Sequence, residues 1–228
     1  MDIQIRHKPA YAMAYCVLAQ GESVLVERGA MATMSTGIEV GATIGGTSKA
    51  LKRKILGNEG FVFATYTAQV DGSWVGIAPH FPGDVGEVTV SDGRGVLVEA
   101  GAVLAHEATV ELDAKIAGLG AVMLREGVSM LHIVGNGKAL IGTYGGLEQV
   151  LLAPGESIIV DTGHLVGMTE DVTMKVGPLG SVTSSVLTGE GLVALLTAGA
   201  SEAAVWVQTR AEQQFKDWLF PERAQNRK

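Results

Sequence analysis

Three acidic residues close the same short pattern at three places in the chain. They are Glu27 in VLVERGAMA, Glu99 in VLVEAGAVL and Asp161 in IIVDTGHLV. Asp161-Thr162-Gly163 after two apolar residues is the arrangement in which aspartic proteases carry a catalytic carboxylate, and that chemistry needs two carboxylates sharing one proton. The chain has one Asp-Thr-Gly, so a hydrolase of this type would have to pair two copies of Asp161 across a homodimer. A second chemistry is open to the set: Glu27, Glu99 and Asp161 could converge on one cation. The alternative is that each carboxylate accepts hydrogen bonds from the amides of its own turn or faces solvent.

Other chemistry-bearing residues are sparse. His7, His80, His106, His132 and His164 are scattered, with no His-x-His pair of the kind that metal-binding cupins use. Cys16 is the single cysteine, which excludes an internal disulfide and any multi-cysteine metal or iron–sulfur site, and suits a reducing compartment. GATIGGTSK misses a phosphate-binding Walker loop, because Gly46 is followed by Thr47 and Lys49 comes too late. No cofactor is implied. Lys49, Lys52, Arg53 and Lys54 form the one concentrated basic patch, on what reads as a capped helical turn with Leu51 and Ile55 on one face. That patch could dock an acidic partner, an anionic lipid surface or RNA, or be a solvated face.

The elements that must position these residues are legible from composition. The 228 residues are 47% hydrophobic, enough for a sizeable core, and 31 glycines with runs of β-prone residues favour an all-β chain of short strands and tight turns. A net charge of −7 argues against general nucleic-acid binding, which relies on clustered Lys and Arg. No apolar run approaches the roughly 20 residues of a membrane-spanning helix.

Internal similarity organises the rest. GESVLVERGAMATM from Gly21, GRGVLVEAGAVLAH from Gly93 and GESIIVDTGHLVGM from Gly155 superimpose without gaps. Each opens on a glycine where a hairpin needs positive φ. Three consecutive apolar residues follow, which predicts strands covered on both faces, or a bulge. A second shared element, Glu-Gly leading into a β-prone run, places Gly60, Gly127 and Gly191 at 31, 26 and 28 positions after the closing glycines Gly29, Gly101 and Gly163. One domain of three pseudo-repeats is expected, over about residues 10–84, 85–146 and 147–208. A helix over about 209–220, with Phe215, Trp218 and Leu219 at helical spacing, should pack back on the barrel or on a neighbouring subunit, and 221–228 should form a flexible tail. The N-terminal YCVLAQGES matches QVLLAPGES from Gln149, so it reads as the first strand of the first repeat rather than as a signal core.

The ordered motifs LAQGESVLVERGAMATM, GGTSKALKRKILG, GIAPHFPGDV, EAGAVLA, VDTGHLVGM, TGEGLV and VQTR resemble the altered-inheritance-of-mitochondria family over nearly the whole chain. The resemblance implies a triplicated β-sandwich or prism with pseudo-threefold repeats, similar to the tryptophan RNA-binding attenuator fold and of double-stranded β-helix type, commonly assembled into oligomers. The chain lacks an Arg- and Ser-rich leader and looks like the short bacterial form. The family supplies no catalytic residue to carry over. The expectation is therefore a cytoplasmic, non-catalytic homo-oligomer, a trimer or a multiple of one, acting as a binding or scaffold protein. The alternative is a small-molecule or RNA-binding module, and a hydrolase at Asp161 is the third class.

Overall fold

The computed structural model describes residues 1–43, 62–91, 93–113, 130–178 and 192–221. The basic patch Lys49, Lys52, Arg53 and Lys54, most of the glycine-rich stretch before it, the Glu-Gly pairs ending in Gly60, Gly127 and Gly191, and residues 222–228 of the tail lie outside the described residues.

The described chain is all-β with one short helix. After β1 (Asp2–Arg6) come three runs of six strands. The first contains β2 (Met13–Leu18), β3 (Ser23–Glu27), β4 (Met31–Met34), β5 (Ile38–Thr43), β6 (Phe63–Ala68) and β7 (Ser73–Ile77). The second contains β8 (Val85–Val90), β9 (Val96–Glu99), β10 (Val103–Glu107), β11 (Val110–Asp113), β12 (Met130–Gly135) and β13 (Gly137–Gly142). The third contains β14 (Leu147–Leu152), β15 (Ser157–Asp161), β16 (Leu165–Thr169), β17 (Thr173–Pro178), β18 (Leu192–Thr197) and β19 (Ala203–Gln208), followed by helix α1 (Glu212–Leu219).

Within each run the antiparallel pairing is the same. The first strand pairs with the sixth and the sixth with the third, as in β2·β7·β4, β8·β13·β10 and β14·β19·β16. The second pairs with the fifth and the fifth with the fourth, as in β3·β6·β5, β9·β12·β11 and β15·β18·β17. Successive runs are then stitched together by two further ladders, β3·β10 and β9·β16. These seams create the two six-stranded sheets, while β1-β2-β7-β4 and β15-β18-β17 remain as separate smaller sheets.

Local chemistry explains the pattern. Gly21, Gly93 and Gly155 lead into the second strands at φ +80°, +76° and +75°, as the turn geometry requires, with nothing near enough to obstruct a Cβ. In two runs the Gly-Glu-Ser that opens this turn works identically. Glu22 and Glu156 accept hydrogen bonds from the amides of Ala19 (3.0 Å) and Ala153 (2.8 Å). Ser23 and Ser157 pair with Thr67 and Thr197 across the strands, each at 2.8 Å. The second run reads Gly-Arg-Gly instead. There a Cβ on Gly95 would lie 2.6 Å from Nε2 of His132 and 2.7 Å from Oε2 of Glu170, two groups joined by a 2.9 Å hydrogen bond across the sheet.

The first two triplets of apolar residues are covered on two faces because they serve two cores. Val24 and Val26 join the first core, whereas Leu25 between them joins the second. Val96 and Val98 join the second core, and Leu97 joins the third. The triplets pair without a register shift, so two-faced burial, not a bulge, accounts for them in β3 and β9. The third strand of every run slips register against the sixth, at Met31/Thr33, Val103/Ala105 and Leu165/Gly167. Cys16 is buried in the first core, and burial pushes its thiol up to about 12, so it behaves as a small apolar residue.

Candidate functional site

The turns that follow β3, β9 and β15 all border one cavity of about 620 Å³. Glu27, Glu99 with Gly101 and Ala102, and Thr162 with Gly163 come from these turns. Links between runs add His80, Phe81, Thr143 and Tyr144, and α1 adds Glu212, Gln213 and Lys216. Glu27, Phe63 and Thr43 lie in register across β3, β6 and β5.

The three acids diverge here. Asp161 caps its own turn: its Oδ1 accepts from the Gly163 amide at 2.8 Å. Its carboxylate therefore serves the 3-10 turn Thr162–His164 and is not among the groups lining the cavity. The nearby amides of Gly101 and Ala102 favour the charged form of Glu99, yet burial outweighs them and raises its pKa, with Glu212 adding a smaller push. Glu27 has neither kind of help. Its Oε2 is buried without a hydrogen-bond partner. His80 Nδ1 stands 4.0 Å away, outside bonding distance. Burial first, and the charge of Glu99 second, push the Glu27 carboxyl up to about 7. Two of the three sequence candidates thus meet as interacting acids in one cavity, and the third is spent on its turn.

Aromatic rings build the mouth. Phe81 and Tyr144 lie 5.2 Å apart between centroids, Tyr144 meets Phe215 edge-on at 5.7 Å, and Phe215 stacks on Trp218 at 6.0 Å. This chain of rings is what holds α1 at the cavity. The helix packs lightly, since no residue of it is buried and Trp218 is 75% exposed. Lys216 is paired with Glu212 one turn away on the same helix.

The histidines do not assemble. His164 bonds the Gln208 carbonyl through Nδ1 at 2.7 Å, and His106 bonds the Glu107 carbonyl at 2.9 Å. Among the described residues no group of three or more His, Cys, Asp or Glu is placed to hold a metal ion. No helix among them is long and apolar enough to cross a membrane. Sequence reasoning counted His80 only among the scattered histidines and passed over Phe81 and Tyr144. The signal for the first two was the proline-flanked Pro79-His80-Phe81-Pro82 between the first and second runs, a stiff linker that carries side chains to a fixed place.

The comparisons with known proteins agree with this architecture. No curated protein matches the chain. The crystal structure of the protein SPYM3_0169 from Streptococcus pyogenes superimposes with a TM-score of 0.74, covering 97% of this chain and 99% of that one at 18% sequence identity, which establishes a shared fold. The family model described as mitochondrial biogenesis AIM24 matches residues 3–210. With the match spanning nearly every strand described above, the chain belongs to the mitochondrial biogenesis AIM24 family.

Proposed function

We propose that the protein is a non-catalytic binding protein, a triplicated attenuator-like prism that works as a cytoplasmic homo-oligomer and seats a small organic cation between Glu27 and Glu99. The observation that carries this reading is the buried, unpartnered Oε2 of Glu27, a residue that lines a cavity together with a second acid, Glu99. An unpaired buried acceptor costs on the order of 1–3 kcal/mol, and an ammonium group supplies the missing partner. Phe81 and Tyr144 at the mouth offer faces on which alkylammonium groups bind well.

The hydroxyls support binding over catalysis. Thr143 and Thr162 line the cavity, but their Oγ1 atoms donate to the backbone carbonyls of Gly145 (2.9 Å) and Leu192 (3.0 Å) rather than to a base. Asp161 is engaged in the same local way, which weighs against the hydrolase reading. The acidic balance of the chain weighs against RNA.

Calorimetric titration with butylammonium and with spermidine tests the reading. Binding is expected at pH 8, where Glu27 is ionised, weakening at least tenfold at pH 5 and in Glu27→Gln. Failure of both cations to bind, or equal affinity in Glu27→Gln, would overturn it.

A further inference from the structure

We infer that β15 of one molecule pairs with β4 of a second copy, reproducing between chains the seam that each chain makes twice within itself. This rests on the self-association proposed above and assigns the surfaces that carry it.

The argument starts from the two seams already present. In each, the second strand of one run lies against the third strand of the next, with Leu25 opposite His106 and Leu97 opposite Met168. The middle residue of the triplet then enters the next core, leaving Leu25 8% and Leu97 7% exposed. Three runs make three second strands and three third strands, but the chain uses only two of each. The unused second strand is β15, paired on one side only, with β18. The unused third strand is β4, paired on one side only, with β7. No ladder joins β4 to β15 among the described residues.

Both unused edges carry the residues that the seam would bury. Ile159 occupies the place of Leu25 and Leu97, and it is 58% exposed. Met34 occupies the place of His106 and Met168, which are 3% and 0% exposed, and it stands at 38%. Transferring the observed register puts Thr33 opposite Val160 and Met34 opposite Ile159. Ile159 would then reach the margin of the partner's first core, where Met31 packs half-buried. The occupant is therefore a second copy of this chain, because only another molecule of the same sequence offers the complementary edge in the right register. The contact is head-to-tail, β15 of each copy onto β4 of the next.

The test uses the full chain with Cys16→Ala and two single variants, Met34→Cys and Ile159→Cys. Light scattering after size exclusion first establishes the assembly of the parent. The expected result is an oligomer that falls to the 23.7 kDa monomer in Ile159→Lys and in Met34→Lys, with unchanged circular dichroism. Oxidation of a mixture of the two cysteine variants is expected to give a disulfide-linked dimer containing one of each. An oligomer that survives both Ile159→Lys and Met34→Lys and yields no mixed dimer overturns this inference while leaving self-association standing. A monomeric parent at about 50 μM overturns both. A double Met34→Cys, Ile159→Cys chain that closes a disulfide only within itself also overturns the inference, since the seam would then close in cis.

Discussion

The two closed seams and the open one are built from nearly the same residues and end in opposite states. Val24-Leu25-Val26 and Val96-Leu97-Val98 are covered on both faces, but Ile158-Ile159-Val160 is covered on one. Likewise β10 and β16 are buried through their first four positions, whereas β4 alternates between half-buried and exposed. Composition does not separate these strands; the presence of a neighbouring run on that side does. A β-unit whose middle residue belongs to its neighbour's core is incomplete alone, so a finite array of such units leaves one unfinished face at each end.

The largest effect that can test this comparison comes from truncating the middle residue. Leu97→Ala is expected to cost about 2–4 kcal/mol in urea denaturation, because it opens a cavity in a packed core. Ile159→Ala, measured in dilute dissociated protein, should stay within about 0.5 kcal/mol of the parent. Equal costs would erase the distinction between closed and open seams.

The turns ending these strands extend the comparison. The folded protein raises Glu27 from its ordinary value near 4.5 to about 7, so it binds a proton that the unfolded chain releases in that window. Stability should then fall as pH rises from about 4.5 to 7 and level off above it. Glu27→Gln is expected to remove this decline and add roughly 1–2 kcal/mol above pH 7, as read from thermal melts across pH. Glu99 and His80 are the groups facing Glu27, and both remain in the variant.

Within the first closed seam, His106 stands where the other runs have methionine. Its Nε2 is buried without a partner, and burial holds its pKa below the usual 6.5. The unfolded chain takes up a proton that the folded one refuses, so this group removes stability as pH drops below about 6.5. His106→Met should flatten that acid limb and add about 0.5–1 kcal/mol near neutrality, as followed by chemical denaturation at pH 5 and 7. The smallest effect concerns the hydroxyl pairs of the outer runs. Ser157→Ala and Ser23→Ala should each cost about 0.5 kcal/mol or less in paired melts, a matched loss that shows the two turns are energetically alike.

Much of this architecture was readable in advance, for reasons specific to each element. The positive φ at Gly21, Gly93 and Gly155 followed from the turn chemistry around them, and the strand triplets from their apolar runs. The acids were readable as a set but not as individuals. Asp161, with the shorter side chain, reaches back to its own Gly163 amide. Glu99 stands near amides of its turn as well, while Glu27 is isolated by neighbours from distant parts of the chain, His80 and Glu99 among them. Nothing near Glu27 in sequence foretells that.

The amino-acid sequence by itself determined the strands, their turns and the similarity of the three runs, because these depend on φ preferences, side-chain alternation and contacts within a few residues. Only the tertiary structure decided which core receives Leu25, Leu97 or Ile159, and which carboxylate is left unpartnered. Those outcomes depend on pairing between strands tens of residues apart, and on whether any strand remains to complete the edge. Identical local patterns thus become a buried seam twice and an open edge once.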